Sequence, residues 1–240
     1  RMYYLLRLQI ILILVVGFTN VSKAQIKELH RLEREEKQLY FGMSLGAVNT
    51  HLNPSKHIDF LSSDSIMSVE PGRSSGYSAR FLATLKLNRR FELRFNPGLT
   101  LGVQRTFEYV LGSRQTYEKE VEKRIIESTY LNFPLHVKLN SDRINNFRVY
   151  MLAGLKYDYD LSSNKNKRNA EDMLKLSNSD WGAEVGIGFN FYLRYFTLSP
   201  EIKISNGLGN IHARDANLKY SNILDKITSR SIFFTINIEE

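Results

Sequence analysis

The stretch that decides the fold spans residues 128–161 and reads STYLNFPLHVKLNSDRINNFRVYMLAGLKYDYDL. Two segments flank its polar centre, and in each of them apolar and polar residues alternate. Leu131, Phe133 and Leu135, for example, alternate with Asn132 and His136. Alternation with a period of two predicts β-strands. Each segment is about ten residues or longer, which exceeds the usual globular strand and approaches the length that a tilted strand needs to cross a bilayer.

The same alternation recurs along the rest of the chain. Counting both segments above, it predicts eight strands at residues 39–50, 77–87, 91–103, 128–139, 147–159, 181–192, 196–205 and 231–239. The connections between them are alternately long and short. This layout predicts an all-β fold, an antiparallel up-and-down outer-membrane β-barrel of about eight strands. Four long extracellular loops, short periplasmic turns and periplasmic N- and C-termini are expected with it.

Three regions are expected along the chain. Residues 1–24 have early arginines, an apolar run and a small-residue pair before Gln25, which predicts a secretory signal peptide. An N-terminal membrane anchor is the alternative. Residues 25–38 are highly charged and predict a short periplasmic leader with at most a marginal helix. Residues 39–240 form the predicted barrel domain.

Composition excludes several classes of protein. The chain has no cysteine, which excludes a disulfide scaffold, a thiolate metal site and a cysteine nucleophile. Its formal charge of +8 includes three basic residues in the predicted signal peptide, so the remaining chain carries about +5. The other charges alternate in sign in segments such as 118–127 and form no basic stripe. Nucleic-acid binding is therefore not expected.

The residues on the polar face of each strand indicate whether that face points into the lumen or out of the barrel. It combines glycines with charged residues of both signs, whereas the opposite face of the strands at 77–87, 91–103 and 181–192 carries no charge. Glycines weaken a strand, and a soluble barrel has no use for several of them on its outer face. A narrow lumen does need small side chains beside large ones. The apolar face is therefore expected to contact outer-membrane lipids; a soluble barrel with an apolar pocket is the alternative.

The tight turn at residues 88–90 sets a register for the lumen. It places Lys86 opposite Glu92 and Thr84 opposite Arg94, and predicts a buried Lys86–Glu92 ion pair. The same reasoning brings Lys138 near Arg148, which requires a neighbouring acid or another register. The lumen is predicted to be plugged by a structural polar network of Arg80, Lys86, Glu92, Arg94, Glu184, Glu201 and Lys203.

No residue pattern points to catalysis. His136 is the histidine that falls on a predicted strand, and a packed or hydrogen-bonded lumen residue is the favoured interpretation over a general base. His51 and His57, with Asp59 and Asp64, could hold a metal, but a solvated loop is favoured. The loop at 161–180 is also expected to be solvated, with contact to polyanionic lipopolysaccharide as the alternative. The sequence thus predicts no enzyme, no cofactor and no metal.

Several short sequence motifs of the chain resemble those of a known family. YLNFP before one strand, NNFR before the next and AGLKY near its end, followed by DWGAEVGIGF and LSPEIKISNGL, resemble the PorT-like outer-membrane proteins of Bacteroidota. The resemblance extends from Leu39 to the end and is strongest over residues 128–208. It implies a non-catalytic component required for type IX protein secretion and, in gliding species, for motility. Other secretion-machine proteins are the partners it implies.

Two other functions stay open. A generic small barrel of the adhesin or small-solute channel type would have the same strand pattern. An outer-membrane enzyme that uses His136 or a loop histidine is the third possibility. The pattern sets neither the oligomeric state nor the loop that contacts a partner.

Overall fold

The computed structural model describes residues 28–56, 66–111, 120–162, 177–212 and 224–240. It contains one short helix, α1 (Glu33–Glu36), and ten strand segments. The segments are β1 (Leu39–Lys56), β2 (Ile66–Pro71), β3 (Arg73–Lys86), β4 (Phe91–Phe95), β5 (Gly98–Leu111), β6 (Glu120–Asn140), β7 (Phe147–Asp160), β8 (Ser179–Tyr192), β9 (Thr197–Gly207) and β10 (Leu224–Glu239). No helix within these ranges is long and apolar enough to span a bilayer.

Ten segments make eight strands, because two breaks leave the register unchanged. Pro71 on β2 lies opposite Phe107, and Tyr77 on β3 lies opposite Leu101, so β2 and β3 form one strand along β5. In the same way, β4 and β5 keep one register along β3 and form a single strand. Between these two, Pro97 has no N–H, but its carbonyl accepts a 2.8 Å hydrogen bond from the N–H of Phe81. The interruption therefore does not end the pairing.

All strand pairs are antiparallel, and the sheet closes on itself. Each strand pairs with its neighbours in chain order, and β1 pairs with both β3 and β10. Closure pairs each strand of the barrel wall on both sides, so the backbone groups of the wall are satisfied. Beyond the wall, β2 and the start of β6 pair with β5 alone in the described residues. The structure confirms the predicted all-β, eight-stranded, antiparallel up-and-down barrel.

The two ends of the barrel differ in their connections. The turn end holds the short connections at residues 87–90, 141–146 and 193–196, the last residues of β10, and residues 28–38 before β1. The loop end holds the four longer connections. There the strands continue past the predicted bounds, since β5 and β6 pair as far as Leu111 and Glu120. A ladder of backbone hydrogen bonds needs no apolar face, which is why alternation alone missed these extensions.

The two faces of the wall have opposite chemistry. Side chains that point outward are apolar and largely exposed, for example Phe81, Met151 and Val185. Aromatic residues collect near both ends of the outer wall on β6–β8. Near the turn end Phe147 contacts Phe189 and Phe191, with ring centroids 5.8 and 5.3 Å apart. Toward the loop end Tyr157 contacts Trp181 at 4.7 Å. Two aromatic belts around an apolar band are typical of a barrel in a bilayer.

Some predictions fall partly or wholly outside the described residues. These include the signal peptide with its cleavage before Gln25, and His57, Asp59 and Asp64 of the alternative metal site. His51 is described and lies on β1 opposite Arg73 and Arg230. The predicted leader is described from residue 28 onward, and its helix is the single turn α1.

Candidate functional site

The lumen is the candidate site, and Arg94 lies at its centre. Strand alternation points this side chain inward from β4, where it is fully buried. Its Nη1 donates to Glu201 Oε2 at 2.9 Å and its Nη2 donates to Glu239 Oε1 at 2.6 Å. Its Nε donates to the Thr84 hydroxyl at 3.4 Å. One guanidinium thus joins carboxylates from β9 and β10 across the barrel by charge-assisted hydrogen bonds.

Glu201 is the carboxylate with the most partners in this group. The Tyr150 hydroxyl donates to Oε2 at 2.7 Å, and the Asn237 amide donates to the same atom at 3.3 Å. Lys203 lies 3.1 Å from Oε1. A buried carboxylate needs this number of donors to offset its desolvation. Strands that are not neighbours in the sheet are therefore held together through their side chains.

Glu92 is paired differently from the prediction. The predicted register is confirmed, since Lys86 lies opposite Glu92 and Thr84 opposite Arg94. The predicted Lys86–Glu92 ion pair is wrong among the described residues: Lys138 Nζ lies 3.3 Å from Glu92, and the Tyr40 hydroxyl donates to it at 2.6 Å. Lys86 instead donates to the Glu35 carbonyl. Because Lys86 ends β3, its long side chain leaves the lumen, while Lys138 faces Glu92 directly from β6.

The expected proximity of Lys138 and Arg148 does not occur. Lys138 lies opposite Leu152, because the 141–146 connection is wider than a tight turn. The Lys138 ammonium lies 4.1 Å from the ring centroid of Tyr150. Arg148 faces the turn end and lies 3.2 Å from Glu35. The acid that the sequence left unidentified is thus Glu92 for Lys138 and Glu35 for Arg148.

His136 lies opposite Arg94 in the sheet, and Arg80 lies further toward the loop end on β3. His136 is fully buried, and its Nε2 lies 2.7 Å from Glu184 Oε2. It is therefore a hydrogen-bonded lumen residue. The Arg80 guanidinium stacks over Phe233, with 4.3 Å between its central carbon and the ring centroid. Its nitrogens have no hydrogen-bond partner within the described part of the chain.

The loop half of the lumen has smaller polar groups and some empty space. Asn132 donates to Asp158 at 2.6 Å, and Lys156 contacts the other oxygen of Asp158 at 2.5 Å. Ser229 donates to Asp180. A cavity of about 20 Å³ lies among these residues, which is room for one water molecule.

Six of the seven residues predicted for the lumen network lie buried in the lumen, and Lys86 does not. The predicted network left out five residues that complete it. They are Arg34, Tyr40, Lys138, Tyr150 and Glu239. Alternation along β10 could have found Glu239, since Phe233, Thr235 and Asn237 before it also face inward.

The chemistry of the site is that of a packed lumen. Polar side chains crowd the cross-section, and those around Arg94 are bonded to one another. Within the described ranges, no group of three or more His, Asp or Glu side chains is placed to hold a metal ion.

Comparisons with known proteins agree with this architecture. The family model described as outer membrane protein beta-barrel domain matches residues 24–213. No curated protein sequence gives a significant match.

Solved structures with a similar shape include small barrels. Neisserial surface protein A (NspA) is 12% identical, with 82% of this chain and 96% of that chain covered and a TM-score of 0.41. OprG from Pseudomonas aeruginosa is 11% identical, with 84% and 94% covered and a TM-score of 0.43. Ail of Yersinia pestis, in complex with sucrose octasulfate, is 11% identical, with 85% and 100% covered and a TM-score of 0.40.

Proposed function

This chain belongs to the outer membrane protein beta-barrel domain family, and we propose that, within this family, it is a non-catalytic barrel that serves type IX protein secretion. It is an integral outer-membrane protein whose apolar wall contacts lipid. In the proposal it works through contacts with other secretion-machine proteins. In gliding species it also supports motility.

The filled lumen is the observation that carries the non-catalytic, non-conducting part of this proposal. Arg94, Glu201 and Glu239 bridge the barrel at its centre, and all three are fully or almost fully buried. A lumen blocked in this way leaves the two ends and the lipid-facing wall as the surfaces that can act. His136 is also enclosed and lies 2.7 Å from Glu184, which supports a structural role for it over that of a general base.

The secretion role is supported by the resemblance of residues 128–208 to the PorT-like proteins of Bacteroidota. In the proposed orientation the turn end lies in the periplasm and the loop end outside the cell. Short turns on the periplasmic side and longer loops outside are the general rule for barrels of this kind. Both termini then lie in the periplasm.

Deletion of the gene tests the secretion role. We expect type IX cargo to accumulate unprocessed in the cell and export to return when the intact gene is supplied. A His136→Gln variant, which can still donate a hydrogen bond to Glu184, should restore export fully. Normal cargo export by the deletion strain would end the proposal. Loss of export with a folded His136→Gln barrel would instead indicate a catalytic histidine.

A generic surface barrel of the adhesin type is the second candidate. The extension at the loop end favours it, because β2 and β6 flank β5 in a small sheet beyond the barrel wall. An extended extracellular sheet offers a surface for attachment. A deletion strain that exports cargo normally but adheres poorly would select this candidate. Affinity purification of the barrel from outer membranes would then recover no secretion protein.

A further inference from the structure

Residues 28–38, called the strap from here on, lie across the turn end of the barrel. The Asn146 side chain accepts from the His30 N–H at 2.9 Å and donates to the Glu28 carbonyl at 2.8 Å. Glu35 lies 3.2 Å from Arg148 and 3.5 Å from Arg143. The strap thus touches the 141–146 connection and the start of β7.

One side chain of the strap enters the lumen. Arg34 pairs with Glu239 and is 6% exposed. Its guanidinium carbon lies 4.2 Å from the ring centroid of Tyr40 and 5.7 Å from that of Tyr192. A carboxylate flanked by two aromatic rings recognises a planar cation by charge, hydrogen bonding and stacking together. Glu239, Tyr40 and Tyr192 are called the socket.

Arg34 makes the one buried contact of the strap with the barrel. Arg34 is the only buried residue among residues 28–38, while Leu29 and Leu32 are 48% and 53% exposed. The helix α1 is a single turn without a side-chain cap. Segments with few buried apolar contacts open at low free energy. Without Arg34, the strap would keep only hydrogen bonds and ion pairs near the surface.

Glu239 does not depend on the strap for its charge balance. Its Oε1 is paired with Arg94 at 2.6 Å, and its Oε2 is the atom that contacts Arg34. Without the strap, Glu239 would still have Arg94 as its partner, and Oε2 would face the turn end of the barrel. The socket can therefore exist empty. Burial lowers the pKa of Arg34, but Glu239, Tyr40 and Tyr192 together raise it by more, so its pKa lies above the usual arginine value and the group stays charged.

We propose that the socket is a guanidinium-binding site and that the strap is a detachable lid, which closes the turn end by placing Arg34 in it. The proposal does not depend on the secretion role. It assigns to the lumen a specific ligand, a guanidinium group carried on a peptide segment. Arg34 fills the site in cis.

Thr197 provides a position at which opening can be measured. It is fully buried and lies opposite both Glu239 and Tyr192 in the sheet, directly beside the socket. The chain has no cysteine, so Thr197→Cys introduces a single thiol. The rate at which a water-soluble methanethiosulfonate modifies this thiol in detergent-solubilised barrel reports how often the lid opens.

Arg34→Ala in the Thr197→Cys background is the test variant. We expect labelling to be at least roughly 100-fold faster, the lower end of the factor that corresponds to loss of a buried charge pair. Millimolar guanidinium chloride should restore protection, whereas methylammonium chloride should not, since it lacks the planar group. Glu33→Gln, an exposed change on the same strap, should leave the labelling rate unchanged.

Heat-modifiable migration in gel electrophoresis verifies that each variant is folded. If Arg34→Ala does not fold, Arg34→Lys replaces it. This variant keeps the charge but should label faster than the parent, and guanidinium should again slow labelling. Unchanged labelling in the folded Arg34 variant would overturn the lid. Faster labelling that guanidinium does not reverse, or that methylammonium reverses equally well, would overturn the guanidinium site.

Discussion

The turn half and the loop half of the lumen are built from the same alternating strands, yet they close in different ways. In the turn half, long charged side chains and tyrosines interlock across the barrel, and Arg94 alone reaches carboxylates on two other strands. In the loop half, shorter polar groups such as Asn132 and Asp158 bond mainly to near neighbours. A cavity of about 20 Å³ is left among the polar groups of the loop half.

The difference shows that closure of the lumen depends on how far side chains reach across it rather than on the diameter of the barrel. Closure by long ion-paired residues is strong but sensitive, because removing one partner leaves another charge buried. Closure by short groups next to a cavity is more tolerant, since a water molecule can replace a lost partner. The two halves should therefore respond very differently to equivalent substitutions.

Arg94→Met should have the largest effect. It leaves Glu201 and Glu239 without their shared arginine, and loss of one partner of a buried ion pair costs about 3–5 kcal/mol. Urea unfolding in detergent, followed by the fluorescence of the single tryptophan, Trp181 on the outer wall, measures the loss. Arg90→Met is the matched control. Both side chains of its ion pair with Asp142 are exposed, so the free energy of unfolding should change by less than about 1 kcal/mol. Equal losses of stability in Arg94→Met and Arg90→Met would contradict closure of the turn half by buried ion pairs.

Lys156→Met tests the loop half and should cost less, about 1–3 kcal/mol. Asp158 keeps the amide of Asn132, and the adjacent cavity can admit water to the freed oxygen. Lys226→Met, an exposed change on β10, should stay within about 0.5 kcal/mol of the parent in the same unfolding assay. A loss as large as that of Arg94→Met would mean that both halves are sealed in the same way.

Gly102→Ala should have the smallest effect, about 1 kcal/mol. Gly102 has a positive φ of 74° at the irregularity in the β5–β6 pairing, and an added Cβ would meet no atom within 4 Å. The cost is therefore backbone strain alone. Gly102→Asn, which tolerates this conformation better, should lose less stability than Gly102→Ala. The reverse order would indicate a steric cause that the structure does not contain.

The barrel was predictable because its signal is repeated along every strand. Alternation fixes which side chains point inward, and the 88–90 turn fixes that Thr84 meets Arg94. Neither inference requires knowing which strands distant in sequence come together in the barrel. The extensions of β5 and β6 were missed because charged residues there do not alternate with apolar ones.

The pairing of the lumen residues was less predictable, because partners come from strands far apart in the chain. Glu239 is 145 residues from Arg94, and no spacing rule connects them. Lys86 was assigned to Glu92 from the turn alone, since the competing position of Lys138 depends on the β4–β6 register. Arg34 lies in a run of charges that resembles a solvated leader, and only the closed end of the barrel shows where it goes.

Conductance of the purified, unmodified protein in a planar lipid bilayer tests the sealed lumen most directly. Because Arg94, Tyr150, Glu201 and Glu239 fill the cross-section, we expect no steady current above that of the bare membrane. Opening of the strap leaves the pairs of Arg94 with Glu201 and Glu239 in place, so it should add no current. A sustained ohmic conductance, of a size that requires a continuous water path, would contradict the sealed lumen.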